Sequence, residues 1–386
     1  MKTICVNLKL CLLALLSMAL SSCSEQTGDN QTIKFYVGSS DGNLSHSIFL
    51  CNMDPATEAF TVVDSFAGAN GASYLDLSPG QKYLFAINQE RWEGTRNSTV
   101  SSFAIEAGTL ALEAINSQSS EGRGICHIHC SGEGKHIFAA NYGSGHATAL
   151  PVKENGEIAP ASSVVIGEGT GLIESRQEGP HAHQVMLDPG QNFLLVPDLG
   201  TDKVMIYAFD KEQGALTPNP AQSFFSLAPG SGPRHLAFHP SGSFLYIVNE
   251  LNSTLTACSY DGSDGTITML NTVSTVEDTH EGMKYPAAVR VHPGGKYVYA
   301  STRGENSCIS TFEIKDDGRV SRIQVMEQVP NWPRDFNLDP KGKFMLVAGE
   351  RSDEIRLYKI DPRTGMLAET QAGFELPAPA NILFVK

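Results

Sequence analysis

Seven side chains in this sequence have the types that acid–base chemistry on a small anion needs: Arg234, Arg303, Arg334, His181, His183, Glu250 and Glu350. Guanidinium groups are planar forks for carboxylate or phosphate oxygens, while imidazole and carboxylate exchange protons near neutral pH. Brought together, Arg234, Arg303 and Arg334 would bind the anion, and His181 or His183, together with Glu250, would act as acid or base. The same groups could instead form ion pairs that only plug an opening, Arg234 with Glu250 and Arg334 with Asp335. Trp332, beside Arg334, either floors a sugar site or fills space.

What places these residues together is a repeat of about fifty residues. Residues 78–85, 188–195, 239–246, 292–299 and 339–346 are copies of one motif, and 131–138 is a sixth with Gly132 in place of Pro. From Pro79 the intervals are 53, 57, 51, 53 and 47 residues. Each copy reads as a strand, a Pro/Gly turn and a second antiparallel strand, with the Pro presetting φ and the Gly supplying positive φ. Two further short strands follow, which makes about four per repeat and matches a propeller blade. A seventh copy is split between the chain ends: 33–38 resembles a second strand without its first, and 381–386 a first strand without its second. Pairing them in one blade would close the ring. A two-layer sandwich would explain neither the period nor the complementary halves. The expected fold is an all-β, seven-bladed β-propeller of four-stranded antiparallel blades over residues 32–386.

Two columns of the repeat then become informative. Six positions before the turn Pro stand Ser73, Cys126, His183, Arg234, Ala287 and Arg334; ten positions after it stand Gln89, Tyr142, Leu199, Glu250, Arg303 and Glu350. In an antiparallel pair, the start of one strand and the end of the next lie together, so both columns should ring one mouth of the central channel. His181 should share a strand face with His183. His235, His239 and His292 stand beside turns and read as turn or surface residues, and Asn88, Asn141 and Asn249 as capping residues. The run Cys126-His127-Ile128-His129-Cys130 resembles a metal site, but on a strand Cys126 and Cys130 would sit roughly 13 Å apart with both histidines on the opposite face. No metal and no cofactor are expected.

Composition limits the partners. The chain has 386 residues, 36 Gly and 20 Pro, with a formal net charge of −14. That charge disfavours nucleic acid and anionic membrane surfaces, so an anionic substrate needs a concentrated basic pocket. At the N-terminus, Lys2 and Lys9, an apolar run from Leu10 to Leu20 and small residues before Cys23 read as a lipoprotein signal over 1–22. Cys23 would carry the lipid and 23–31 would form a tether, so the only membrane contact expected is a lipid anchor in the cell envelope. The cysteines left after that, Cys51, Cys126, Cys130, Cys258 and Cys308, are odd in number and form no disulfide framework.

Five motifs in order carry a family resemblance: Gly179-Pro180-His181-Ala182-His183, the stretch from Pro233-Arg234-His235 to Pro240, Val248-Asn249-Glu250-Leu251, Thr302-Arg303-Gly304 and Trp332-Pro333-Arg334-Asp335-Phe336. Across the whole mature chain the sequence resembles the propeller-type 6-phosphogluconolactonases, which are related to carboxymuconate cyclase. The resemblance implies a lactonase, a hydrolase acting on a small-molecule lactone with an anionic end. Its site would hold a histidine of 179–183, Arg234, Glu250 and Arg303, with Arg334 as a further anion contact. Ala287 departs from a polar ring, and a lipoprotein address is at odds with a phosphorylated substrate. Direct attack by water is expected rather than an acyl-enzyme. The competing function is a noncatalytic extracytoplasmic propeller that binds a carbohydrate or protein on its channel face; a quinone-dependent dehydrogenase lacks any cofactor signature.

Overall fold

The repeated hairpin forms because its turn satisfies its own backbone. In the computed structural model, which describes residues 31–89 and 97–385, Asp188 N donates to Phe193 O and Gln191 N donates to Asp188 O. The Asp188 carboxylate also accepts from the backbone of Asn192 and Phe193, and Asp339 does the same for Lys343 and Phe344. Positive φ falls two residues after the Pro column, on Gly134, Gly242, Gly295 and Gly342 but also on Gln81 and Gln191. In those two copies the neighbouring Gly80 and Gly190 therefore do not supply it. The leader 1–22, Cys23 and most of the tether lie outside the described residues.

The hairpins extend into seven antiparallel sheets arranged as blades. The first blade runs Pro379–Phe384, Ile33–Ser39, Ile48–Met53 and Phe60–Phe66, so both chain ends share it as the split seventh copy requires. Phe35 pairs with Phe384 and Val37 with Ile382. Innermost strands of the third, fifth, sixth and seventh blades are Ile125–Cys130, Pro233–Phe238, Tyr285–Val291 and Pro333–Leu338; Leu75–Leu77 and Met186–Leu187 serve the second and fourth. The fourth blade differs at its outer edge. There Ala215–Pro218 and Phe224–Ser226 pair in turn with the same neighbour, because Pro218 and Pro220 interrupt the outer strand.

No single centre holds the core. Among the described residues seven apolar clusters occur, each filled by two adjacent blades; one joins Phe138 and Ala149 to Leu194 and Phe209, and another joins Leu346 and Leu357 to Phe35 and Ile382. Every blade is thus apolar on both faces and is stable only between two neighbours, which makes closure of the ring an energetic requirement. Ile382, fully buried in the closing strand, is a direct test. Ile382→Ala is expected to cost about 2–5 kcal/mol, read as a lowered denaturant midpoint with an unchanged slope.

Candidate active site

The inner strands do not keep a two-residue alternation at the mouth. Pairing of the first and second strands shifts register between Ile125 and His127, Pro233 and His235, Pro286 and Val289, and Pro333 and Asp335. In the first blade the shift falls at Ala380, and in the fourth it falls between Ala182 and Met186. A β-bulge there re-aims a side chain, and the bulged residues are those of the first column: Cys126, Arg234, Ala287 and Arg334. In the third, fifth and seventh blades the bulge turns two consecutive residues toward the axis, one at the mouth and one deeper: Cys126 and His127, Arg234 and His235, Arg334 and Asp335.

At the mouth, a cavity of about 210 Å³ is lined by Cys126, His183, Arg234 and Arg334 from the first column and by Gln89, Tyr142, Glu250 and Arg303 from the second, with Arg176 added. Of the residues singled out in the sequence, His183, Arg234, Glu250, Arg303 and Arg334 therefore meet. His181 does not reach the cavity. Its ring stacks on Tyr142 at 4.3 Å between centroids and is fixed between Tyr142 O at 2.9 Å and Glu178 Oε1 at 3.2 Å.

Glu250 is the hub. Its Oε2 accepts from Arg234 Nε at 3.0 Å and Arg303 Nη2 at 2.6 Å, and its Oε1 accepts from Arg176 Nη2 at 2.5 Å. Burial alone would raise its carboxyl, but Arg303, Arg234 and Arg176 outweigh that and hold it at about 2. Arg234, 2 % exposed, also donates to Ala287 O at 2.6 Å, so the ring position without a polar side chain contributes a carbonyl instead. Burial and Arg303 lower the Arg234 guanidinium below its ordinary value, yet it remains a cation beside a carboxylate. Arg334 pairs with Glu350 at 3.6 Å, and Ser40 Oγ donates to Glu350 at 2.7 Å. Of the two ion pairs of the alternative plug reading, Arg234–Glu250 forms and Arg334–Asp335 does not, because the bulge sends Asp335 deeper, where it accepts from Arg290 Nη2 at 2.8 Å. Trp332 lies beside Arg303 and Arg351, with its ring centroid 5.3 Å and 3.3 Å from their guanidinium carbons. Four arginines facing two glutamates leave this mouth with a local excess of positive charge in an acidic protein.

Below the mouth lies a layer the sequence reading missed. His235, taken as a turn residue, is 3 % exposed and sits on the axis 5.4 Å from His183 and 5.5 Å from His127, ring to ring. The Tyr74 ring packs against His127, tilted by 38° with centroids 4.0 Å apart. The 126–130 run is also distributed differently from a regular strand. Cys126 Sγ lies 3.8 Å from His183 Nδ1, His127 faces the channel, His129 pairs with Asp76 at 3.6 Å, and Cys130 packs between blades. Burial pushes the Cys126 thiol up to about 12, so it stays protonated. Asn88 caps the backbone by accepting from Asn70 N at 2.9 Å and Asn141 by donating to Ser120 O at 3.1 Å, while Asn249 donates to the Thr254 hydroxyl. Arg176 stands outside every repeat column, so no periodicity could have found it.

A lactonase family described as a seven-bladed β-propeller matches residues 34–384. The curated 6-phosphogluconolactonase of Bacillus subtilis is 29 % identical over 91 % of this chain and 97 % of its own length. That of Yersinia pestis is 30 % identical over 86 % and 92 %. Among solved structures, a periplasmic gluconolactonase of Pseudomonas aeruginosa superposes with a TM-score of 0.86 at 27 % identity, covering 92 % of this chain and 99 % of that one.

The buried imidazoles make stability depend on pH. Burial first, then neighbouring cations, hold His127, His183 and His235 well below the ordinary histidine value of 6.5. Below 6.5 the unfolded chain binds protons that the folded chain refuses, so their contribution is complete above that pH and is lost as pH falls, approaching about 1.4 kcal/mol per pH unit for each histidine. The denaturation midpoint is expected to drop between pH 7.5 and 5.5, and His127→Phe to flatten that slope.

Proposed function

This chain belongs to the seven-bladed β-propeller lactonase family, and we propose that it is a lactone hydrolase opening an anionic sugar lactone to its acid. Its curated relatives are named for the phosphorylated lactone, 6-phosphogluconolactone. The observation that carries the anionic substrate is the cavity itself: Arg176, Arg234, Arg303 and Arg334 face Glu250 and Glu350 within one small mouth, an excess of two positive charges that suits a phosphate or carboxylate.

Each side chain takes a role from its position. Arg303 and Arg334, with Arg234 behind them, hold the anion. Glu250 takes the proton of the attacking water, and the water oxygen bonds to the lactone carbonyl carbon. His183, kept neutral by burial and the surrounding arginines, donates a hydrogen bond to the developing oxyanion. As the ring C–O bond breaks, the proton returns to the leaving alkoxide. His181 contributes by holding Tyr142 against the cavity. The protonated Cys126 thiol is a poor nucleophile, consistent with direct attack by water.

A noncatalytic propeller is not favoured, because relatives at about 30 % identity over most of the chain are named as lactonases. The address belongs to the same reading: secretion through 1–22 and anchoring through Cys23 in the cell envelope. A periplasmic gluconolactonase among the structural relatives supports catalysis on that side.

Glu250→Gln is expected to lower kcat on the phosphorylated lactone by about 10²- to 10⁴-fold, measured by proton release on residues 24–386; a loss within threefold contradicts the role. Cys23→Ser in the full chain is expected to abolish incorporation of labelled palmitate and to release the protein from the membrane fraction.

A further inference from the structure

The three cations on Glu250 are not equivalent. Arg234 and Arg303 share its Oε2, and each has a second fixed acceptor in a backbone carbonyl, Ala287 O at 2.6 Å and Tyr285 O at 3.2 Å. Their side chains are almost completely buried, so neither can leave the carboxylate without stranding a charge in a dry environment. Arg176 alone holds Oε1, its side chain is 32 % exposed, and it lies over the Tyr285 ring at 5.6 Å, at the rim of the cavity. It comes from the non-repeat segment between the third and fourth blades.

That segment is anchored so that the side chain, not the backbone, is the movable part. Gln177, fully buried, donates to Leu199 O and to Asp202 Oδ1, both at 2.8 Å, and accepts from Ile173 N at 2.9 Å. Asp202 also accepts from Gly230 N and Gly232 N at 2.7 Å. One carboxylate therefore fixes the backbone next to Arg176 and the turn that leads into Arg234, and holds the two points of attachment at a constant separation.

We propose that Arg176 is an exchangeable counter-ion and a specificity residue: it covers Oε1 of Glu250 in the free enzyme and moves to the anionic group of the lactone, uncovering Oε1 as the base. The proposal rests on the lactonase reading above. The exchange swaps one anionic partner for another, so no charge is left unpaired, and a neutral lactone cannot drive it. The other groups around Glu250 are Arg234 and Arg303 in contact, Arg334 with Glu350, and the neutral Tyr142, Cys126 and His183. Of these, Arg176 is the cation whose departure the substrate itself controls.

The test is steady-state kinetics of the wild type, Arg176→Ala and Arg176→Lys on a phosphorylated sugar lactone and its neutral counterpart at neutral pH. In Arg176→Ala the ratio of kcat/KM for the phosphorylated over the neutral lactone is expected to fall roughly 10- to 100-fold, the scale of one charge-assisted hydrogen bond. The neutral-lactone value should not fall, because Oε1 is already uncovered in that variant. Arg176→Lys should retain most of the ratio. A wild type without preference for the phosphorylated lactone, or an Arg176→Ala ratio within twofold of wild type, overturns the exchange. A wild type that hydrolyses neither lactone overturns the lactonase reading instead.

Discussion

A carboxylate almost wholly removed from water, Glu250, is what allows arginines from separate blades to be packed into one small mouth. Guanidiniums that close repel one another, and a buried cation without a partner is costly. Glu250 joins Arg234 of its own blade, Arg303 of the next and Arg176 of an inter-blade segment, and Glu350 repeats the device for Arg334. Neutralisation is incomplete by two charges, so a positive site persists in a protein whose average charge is strongly negative. The same cations and the same burial keep His183 neutral, and the acid–base character of the mouth follows from this one cluster.

The ring geometry carries that cluster. Each blade is buried on both faces, so seven inter-blade clusters stabilise the molecule only when the first blade is completed by both chain ends. Once the ring is closed, a bulge near the start of the inner strand delivers two neighbouring side chains to the axis in the third, fifth and seventh blades. One set makes the anion site, and the other makes the aromatic and hydrogen-bonded layer of Tyr74, His127, His235, Arg290, Asp335 and Asn381 beneath it. Fold and chemistry are therefore linked by backbone register as well as by side-chain choice.

This register also explains what could be read from the sequence. The fifty-residue period, the Pro/Gly turns and the split copy were enough to give seven blades and their closure, because they depend on local turn chemistry and apolar alternation. The two columns correctly brought Arg234, Glu250, Arg303, Arg334 and His183 to one opening. Strict alternation failed where a bulge breaks it, putting His127 on the opposite face from Cys126; the same irregularity turns His235, read as a turn or surface residue, onto the axis and separates Asp335 from Arg334. His181 was misplaced for a related reason, since it precedes the irregular stretch that turns His183 inward and ends stacked on Tyr142. Arg176 was invisible because a residue in a non-repeat segment has no column, and only the buried anchors Gln177 and Asp202 show why it arrives at Glu250.

The account depends on the arginine mouth being where the lactone's anion is bound, and a structure determined with the ring-opened phosphosugar acid tests that most directly. The phosphate should lie within hydrogen-bond distance of Arg303 and Arg334, with the carboxylate carbon facing His183 and Glu250. A phosphosugar acid bound at the opposite mouth, or on the outer strands with the Glu250 cluster untouched, would contradict it.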